Sequence, residues 1–286
     1  MSDGASGTAE QTRPTVEGVL RVLELERTGD GRYEGRCLAT EGPVVAGAQM
    51  IAQAIVAASA EATGKRVTSV HSTFARTGRA DRPVTLDVER FHEGRSLASL
   101  SVTVSQGERR LARSLLLLGA DEPDVIRHGA EPPALGRPDD APAQQSWLEG
   151  HEQRTVGGVD VVDPALVGPP ELQYWSRWAT DRTERDISQA LLTWASTNSF
   201  IGAAMRPHEG VGLSLAHRSL STGVLSHALY FHDDVAAGEW LLYALRSTHT
   251  GGGRAFGVGE VFTEDGRLVA TCTQESMIRP MTGGAL

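Results

Sequence analysis

The sequence predicts an α+β protein made of two tandem copies of one unit, each with a long apolar helix and an antiparallel sheet. Three observations support this prediction: a helical apolar stretch in each half, a hairpin of equal dimensions in each half, and a proline-rich segment between them. Because the same order of elements occurs twice, duplication explains the pattern better than chance. We therefore expect two units of one fold and not a doubly wound nucleotide-binding fold.

Each half contains one mostly apolar stretch with the residue spacing of a helix. The first stretch covers residues 46–62 and the second covers residues 187–205. Asp186 and Gln189, three positions apart, predict a capping box at the start of the second helix. A helix that is apolar on most sides must be covered widely, and a curved sheet provides that cover.

The hairpins repeat more closely than the helices. One begins at Arg95 and turns at Gly107, and the other begins at Arg254 and turns at Gly266, twelve residues along in both cases. Alternating apolar and polar residues predict strands on both sides of each turn. The strands that return from the turns cover residues 111–118 and 268–278.

The segment between residues 119 and 145 carries five prolines and no sustained apolar period, which indicates a linker. The first residues are small and polar, which is typical of neither a signal peptide nor an anchor. The expected division is a mobile tail at residues 1–15, an N-terminal unit at 16–118, the linker at 119–150 and a C-terminal unit at 151–286.

Composition excludes several functional classes. With 27 Lys and Arg against 36 Asp and Glu, the net charge of −9 disfavours a nucleic-acid partner. No run of about 18 apolar residues predicts a membrane span. Cys37 and Cys272 are far apart and form no CxxC pair, so we expect no disulfide framework and a cytoplasmic location. The nine histidines lack metal-binding spacings and no phosphate-binding glycine motif occurs, so neither metal nor cofactor is expected.

One long stretch resembles a known family. Residues 226–280 read SHALYFHDDVAAGEWLLYALRSTHTGGGRAFGVGEVFTEDGRLVATCTQESMIRP and resemble the C-terminal half of the TesB-like thioesterase II family. The first half resembles the same family in VAGAQMIAQA at residues 45–54 and in HSTFARTG at residues 71–78. The resemblance implies a double hotdog fold, in which two tandem hotdog units each wrap an antiparallel sheet around a long helix. It also implies hydrolysis of an acyl-CoA or acyl-carrier-protein thioester and a homo-oligomer, with a dimer expected.

The resemblance also implies a catalytic set. In that family a water is held by an Asp before a His, a Thr of an ST pair and a Gln of a QE pair, which carry over as Ser226, Thr248 and Gln274. The Asp position thus holds a serine, which cannot act as a base unaided. Strand alternation places Gln274 at the end of an apolar row, where a buried amide needs partners. The alternative for Gln274 is that it caps a backbone group at the strand end.

Further residues are implied to contact substrate: Gly47, Thr197, Asn198 and His227. Thr197 stands where the family's helix usually carries an Asp. His227 follows Ser226 on one strand, so the two side chains point to opposite faces and no catalytic dyad is expected. For His227, and for His71 in the corresponding place of the first half, the alternative is a histidine satisfied in the core or between the halves.

Three functions remain open at this stage. The first is thioester hydrolysis by a site in which another group, or the substrate, replaces the missing carboxylate. The second is a different reaction, such as dehydration or cyclisation, on a thioester-linked intermediate of specialised metabolism. The third is binding of an acyl thioester without turnover.

Overall fold

The computed structural model describes residues 13–38, 42–197 and 199–281, which form four α-helices and thirteen β-strands. Most of the expected tail lies outside the described residues. The elements of the first half are α1 (Val16–Leu23), β1 (Glu26–Gly29), β2 (Arg32–Gly35), α2 (Gly47–Glu61), β3 (Arg66–Phe74), β4 (Val84–Glu93), β5 (Leu97–Gln106) and β6 (Arg109–Gly119). The elements of the second half are β7 (Ala143–Gln144), β8 (His151–Thr155), β9 (Glu171–Trp178), α3 (Arg185–Thr197), α4 (Ser199–Met205), β10 (Leu220–Phe231), β11 (Leu241–Gly251), β12 (Arg254–Thr263) and β13 (Leu268–Pro280).

All thirteen strands belong to one antiparallel sheet in the order β1-β2-β4-β5-β6-β3-β10-β13-β12-β11-β9-β8-β7. From the β3–β10 junction, the order in one direction is β3, β6, β5, β4, β2, β1. In the other direction it is β10, β13, β12, β11, β9, β8, β7. The first six strands of each series correspond, and β7 is an additional edge strand of the second half, which confirms the predicted α+β double hotdog.

The predicted hairpins are β5–β6 and β12–β13. Their turns contain Gly107 with φ 58° and Gly266 with φ 88°, a left-handed conformation that glycine adopts without steric cost. The glycine turns found in the sequence therefore mark real chain reversals, and the two long return strands lie next to the strands of the junction.

The second apolar stretch differs from its prediction. It forms two helices, α3 and α4, and Asn198 between them lies outside the described residues. The capping box is wrong, because α3 already includes Asp186 in its first turn. Gln189 instead donates from Nε2 to the backbone oxygen of Val67 on β3 at 2.7 Å, which ties the second helix to the first half.

The core lies between the sheet and the helices. One apolar cluster combines α2 and α4 with the inner face of the sheet in both halves. A second cluster lies between the helices and includes α1, which the sequence analysis missed. Thr15 caps this short helix by accepting from the backbone nitrogen of Gly18 at 3.1 Å. The residues of α1 that this cluster buries are Val16, Val19, Leu20, Val22 and Leu23.

Phe200 of α4 packs against Gly257 of β12, where the strand carries no side chain. A Cβ on Gly257 would lie 2.5 Å from Cδ1 of Phe200 and 2.9 Å from the backbone oxygen of Arg246. Phe200 is buried, and its ring centroid lies 6.2 Å from that of His227 on β10. The missing side chain at Gly257 thus lets the ring of Phe200 cover this part of the inner face.

We expect Gly257→Ala to lower the free energy of unfolding by about 1–3 kcal/mol, because the added methyl group overlaps both the aromatic ring and a backbone atom. The matched control is Gly223→Ala on β10, where an added Cβ meets no atom within 4 Å. Urea denaturation of both variants measures the difference. Equal stability of the two variants would contradict this account of the packing.

Candidate active site

A row of polar side chains crosses the inner face of the sheet at the junction of the halves. The cross-strand pairs are Ser72 with Ser114, His227 with Ser72, His227 with Gln274, and Gln274 with Gly257. Directly paired residues point to the same face of a sheet, so these positions form one line perpendicular to the strands. The row therefore brings His227 and Gln274 together beneath the helices.

Strand β10 places the adjacent residues Ser226 and His227 on opposite faces of the sheet. His227 is 1% exposed, and Leu229 and Phe231, two and four residues further along, belong to the core. Ser226 pairs with Thr73 and Glu275, next to an irregularity in the β10–β13 pairing, and is only partly buried. Strand alternation places Ser226 on the outer face, so the expectation that it forms no dyad with His227 fits this register.

His71 does not occupy the position in the first half that corresponds to His227. It pairs with Ala228 and is exposed, with its ring against that of Tyr230 at 5.1 Å between centroids. The inner-face residue opposite His227 is Ser72. The register across the junction thus corrects the sequence expectation by one residue and moves His71 to the outer face.

Thr248 lies at an irregularity in the β11–β12 pairing, between Ser247 and His249. It is exposed, and its Oγ1 donates to the backbone oxygen of Phe256 at 3.4 Å. The inner-face position on β11 belongs to Ser247, which pairs with Gly257. The structure consequently does not bring Thr248 or Ser226 to the inner face beside Gln274.

Helix α3 adds a hydroxyl that the sequence analysis missed. Ser196 is completely buried, and its Oγ lies 3.1 Å from Nε2 of His227 and donates to the backbone oxygen of Thr193 at 2.9 Å. Thr197 is also buried and donates to the same oxygen at 2.8 Å. Small polar residues at positions 193, 196 and 197 of an otherwise apolar helix were the signal for this contact. The remaining candidate on this helix segment, Asn198, lies outside the described residues.

Gln274 is 1% exposed and follows Ala270 and Cys272 on the same face of β13, as the alternation predicts. Its Nε2 donates to Oγ of Ser276 at 2.9 Å. The amide nitrogen of Gln274 therefore binds a side chain and does not cap a backbone group, as the alternative interpretation had it. Oε1 lies beside the imidazole of His227 and is the atom of Gln274 that can accept from its ring N–H, a contact that raises the pKa of His227.

The electrostatics of the site follow from burial. Burial lowers the pKa of His227 to about 4, against a smaller raising effect of its side-chain hydrogen bond with Gln274. The imidazole is therefore neutral at pH 7. Burial raises the pKa of Cys272 to about 12, so this neighbouring thiol stays protonated and is a poor nucleophile.

Gly47, the other implied substrate contact, lies in the first turn of α2 in the first half. A Cβ there would lie 3.2 Å from the ring of Phe74 at the end of β3. Its substrate contact stays a prediction, since the packing against Phe74 already accounts for a small residue at this position.

Two aspartates after β10 have structural partners. Asp233 forms ion pairs with Arg127 and Arg267, and Asp234 forms ion pairs with Arg66 and Arg185.

Cys37 and Cys272 are free cysteines. In the described ranges no cluster of three potential metal ligands occurs, and no helix combines the length and apolarity needed to cross a bilayer.

Comparison with known proteins gives matches over both halves. A family model described as the acyl-CoA thioesterase N-terminal domain matches residues 38–119, and one described as the C-terminal domain matches residues 129–278. Acyl-CoA thioesterase 2 of Haemophilus influenzae is 27% identical, over 92% of this chain and 98% of that protein. The structure of an acyl-CoA thioesterase II, TesB2, from Mycobacterium marinum is 28% identical with a TM-score of 0.79, over 93% of this chain and all of that one. The tesB protein of Mycobacterium avium subsp. paratuberculosis is 26% identical with a TM-score of 0.78, over 93% of this chain and all of that one.

Because two histidines are buried and neutral, the folded chain should become less stable as the pH is lowered. Burial holds the pKa of His227 and of His151 near 4, against 6.5 for the free side chain. Between these values the unfolded chain binds protons that the folded chain does not. The free energy of unfolding should therefore fall as the pH falls from 6.5 to 4, by about 3 kcal/mol for each histidine.

Urea denaturation at pH 7 and pH 4.5 measures this effect, with His151→Gln as the comparison. His151 contacts Ser176 at 2.8 Å on the far side of the second half, so its replacement leaves the polar row intact. The variant should lose less stability than the wild-type chain on acidification. Identical losses would mean that His151 is not held neutral by burial.

Proposed function

Since the chain belongs to the acyl-CoA thioesterase family, we propose that it hydrolyses acyl-CoA thioesters at the inner-face site around Gln274. The observation that carries the proposal is the buried amide of Gln274 beside His227, within a chain that both thioesterase models match. Hydrolysis of a thioester needs a held water, a route for one of its protons and a stabilised oxyanion. Gln274 supplies a fixed polar group for the first of these tasks.

The three catalytic candidates differ in where their side chains lie relative to the inner-face row. Gln274 lies on the inner face with His227 and Ser196, away from bulk solvent, where electrostatic interactions are strong. Ser226 and Thr248 lie at irregular positions of the pairing, away from that row. We therefore propose Gln274 as the catalytic residue of the set and treat Ser226 and Thr248 as candidates that substitution must test.

We propose that the donor is a CoA ester, since both family models and the relative from Haemophilus influenzae are described as acyl-CoA thioesterases. An acyl-carrier-protein donor is the alternative, and a panel of acyl groups presented on CoA and on the carrier protein distinguishes the two donors.

We further propose a cytoplasmic homodimer, supported by the free thiols and by apolar side chains on the outer face near the junction. These are Leu115, Leu117 and Tyr230, which are 53%, 38% and 42% exposed. Sedimentation equilibrium tests the dimer, and a monomer at micromolar concentration would exclude it.

The purified chain should release free thiol and free acid from a panel of straight-chain and branched acyl-CoA esters, and Gln274→Ala should lower kcat by about 10²-fold or more. The matched control is Gln53→Ala in α2. Gln53 is equally buried, but its Nε2 donates to the backbone oxygens of Val22 and Arg36, so its loss should lower stability and leave kcat unchanged. Mass spectrometry of the products would reveal dehydration or cyclisation, and binding without thiol release would exclude hydrolysis.

Ser226→Ala and Thr248→Ala should each keep kcat within a factor of about three, less than 1 kcal/mol of barrier, because neither side chain reaches the inner-face row. Ser226→Asp should give no gain, since its carboxylate would lie on the outer face. A large gain in Ser226→Asp, or a large loss in either alanine variant, would return these residues to the catalytic set.

A further inference from the structure

Five arginines lie close together at one end of the first half. They belong to residues 75–82, which follow β3, and to residues 106–111, which contain the β5–β6 turn. We call these two segments the arginine surface. Its acidic residues are Asp81 and Glu108, so it has an excess of three positive charges in a chain of net charge −9. The five arginines are Arg76, Arg79, Arg82, Arg109 and Arg110.

Hydrogen bonds to the backbone hold the two segments of the arginine surface against each other. The side chain of Gln106 accepts from the backbone nitrogen of Arg79 at 2.8 Å and donates to the backbone oxygen of the same residue at 2.7 Å. The backbone nitrogens of Ala75 and Arg76 donate to the backbone oxygen of Leu111 at 2.8 and 3.2 Å. The fold thus keeps the arginines as neighbours although their charges repel each other.

Most of these arginines have no acidic partner. All five are exposed, and Arg79 forms an ion pair with Asp81 at 2.6 Å. A guanidinium group presents five N–H donors in one plane and matches the oxygens of a phosphate or carboxylate, so an unpaired arginine can bind an anion. Four of the five form no ion pair within the described ranges: Arg76, Arg82, Arg109 and Arg110.

The arginines at the opposite end of the central strands are neutralised. The β12–β13 turn, which corresponds to the β5–β6 turn, lies at that end, near the start of β3. Unpaired like charges repel each other and destabilise a compact chain, so their presence at the arginine surface indicates a role in binding an anion. The arginines around the β12–β13 turn, the linker and α3 that form ion pairs with aspartates are Arg66, Arg127, Arg185 and Arg267.

The arginine surface lies at the end of the sheet where residues implied to contact substrate are found. Gly47 begins α2 and packs against Phe74, the last residue of β3. Arg76 follows Ser72 by four residues, and Ser72 pairs with His227 in the inner-face row. Four residues span at most about 14 Å, so the arginine surface begins within that distance of the row. The extended pantetheine arm of CoA is long enough to connect two such places.

We propose that the arginine surface binds the phosphate groups of the CoA part of the acyl-CoA donor. CoA carries a diphosphate and a separate phosphate on its ribose, and guanidinium groups bind phosphate oxygens through paired hydrogen bonds. The inference rests on the proposed function for the identity of the ligand and adds the place where the charged part of that ligand binds. The negative charge of the rest of the chain repels CoA, which steers it to this surface.

Titration calorimetry of the full chain with CoA tests the arginine surface without turnover. The test variant is Arg109→Gln/Arg110→Gln, which removes two unpaired charges. We expect its dissociation constant for CoA to be about tenfold higher or more, because charge-assisted hydrogen bonds to phosphate are lost. Pantetheine, which lacks the phosphates, should bind the variant and the wild-type chain equally. Added salt should weaken CoA binding more in the wild-type chain than in the variant.

The matched control is Arg127→Gln/Arg267→Gln, which changes the net charge by the same amount at the opposite end. Both arginines pair with Asp233 on the surface, so their loss should cost little stability. The dissociation constant of the control for CoA should stay within about a factor of two, because charges beyond the Debye length are largely screened. Thermal unfolding of both variants shows whether each is folded.

Kinetics give a second readout with the acyl-CoA ester that the wild-type chain hydrolyses fastest. Arg109→Gln/Arg110→Gln should raise KM for this ester by about tenfold or more and leave kcat unchanged, since the arginines bind the carrier and not the reacting atoms. With the same acyl group on pantetheine, KM of the variant and of the wild-type chain should agree.

The outcomes distinguish this inference from the proposed function. Binding of CoA that requires Arg109 and Arg110, in a chain that hydrolyses no acyl-CoA ester, overturns the proposed function and supports the inference. Equal affinity of the wild-type chain and the test variant for CoA overturns the inference, and hydrolysis would then still support the proposed function. An equal loss of affinity in the control variant overturns it too, because net charge alone would explain the effect. Binding of an acidic acyl-carrier protein that requires these arginines, without CoA binding that requires them, also overturns it.

Discussion

The antiparallel pairing of β3 with β10 joins the two halves into one sheet, and the position of every inner-face residue near the site depends on its register. His227 pairs there with Ser72, and through β13 with Gln274. A shift of one residue would exchange the faces of the strand and place Ser226 inside and His227 outside. The site therefore depends on backbone hydrogen bonds between segments that lie more than 150 residues apart in the chain.

Duplication has left two copies with different inner faces. In the first half the row consists of hydroxyls that satisfy each other and of valine, and α2 above it is buried almost throughout its length. In the second half the row contains an imidazole, an amide and a glycine, with Ser196 and Phe200 above them. In the second arrangement the imidazole and the amide lie side by side, and burial keeps the histidine neutral. The same core that stabilises the fold thus sets the protonation state of the histidine.

The helices of the second half pack closely against the sheet. Gly257 has no side chain beneath the ring of Phe200, and Gln189 binds the Val67 oxygen and so connects α3 to β3. These contacts hold α3 and its serine at hydrogen-bond distance from His227. A site assembled on helices and strands in this way has less freedom than one on loops, which favours a fixed geometry of its polar groups.

The α+β class, the duplication, the two hairpins with their glycine turns and the burial of Gln274 could be predicted from the sequence, because local periodicity and turn chemistry depend on neighbouring residues. It did not reveal α1, whose stability comes from packing on the other helices. It also could not assign the partners of His227, since Ser196 is 31 residues away along the chain. That Ser226 and Thr248 lie off the inner-face row and that His71 faces outward became clear only from the folded chain. The register between paired strands, and irregularities such as the one at Thr248, set which face a residue occupies, and both depend on the partner strand and not on the local sequence.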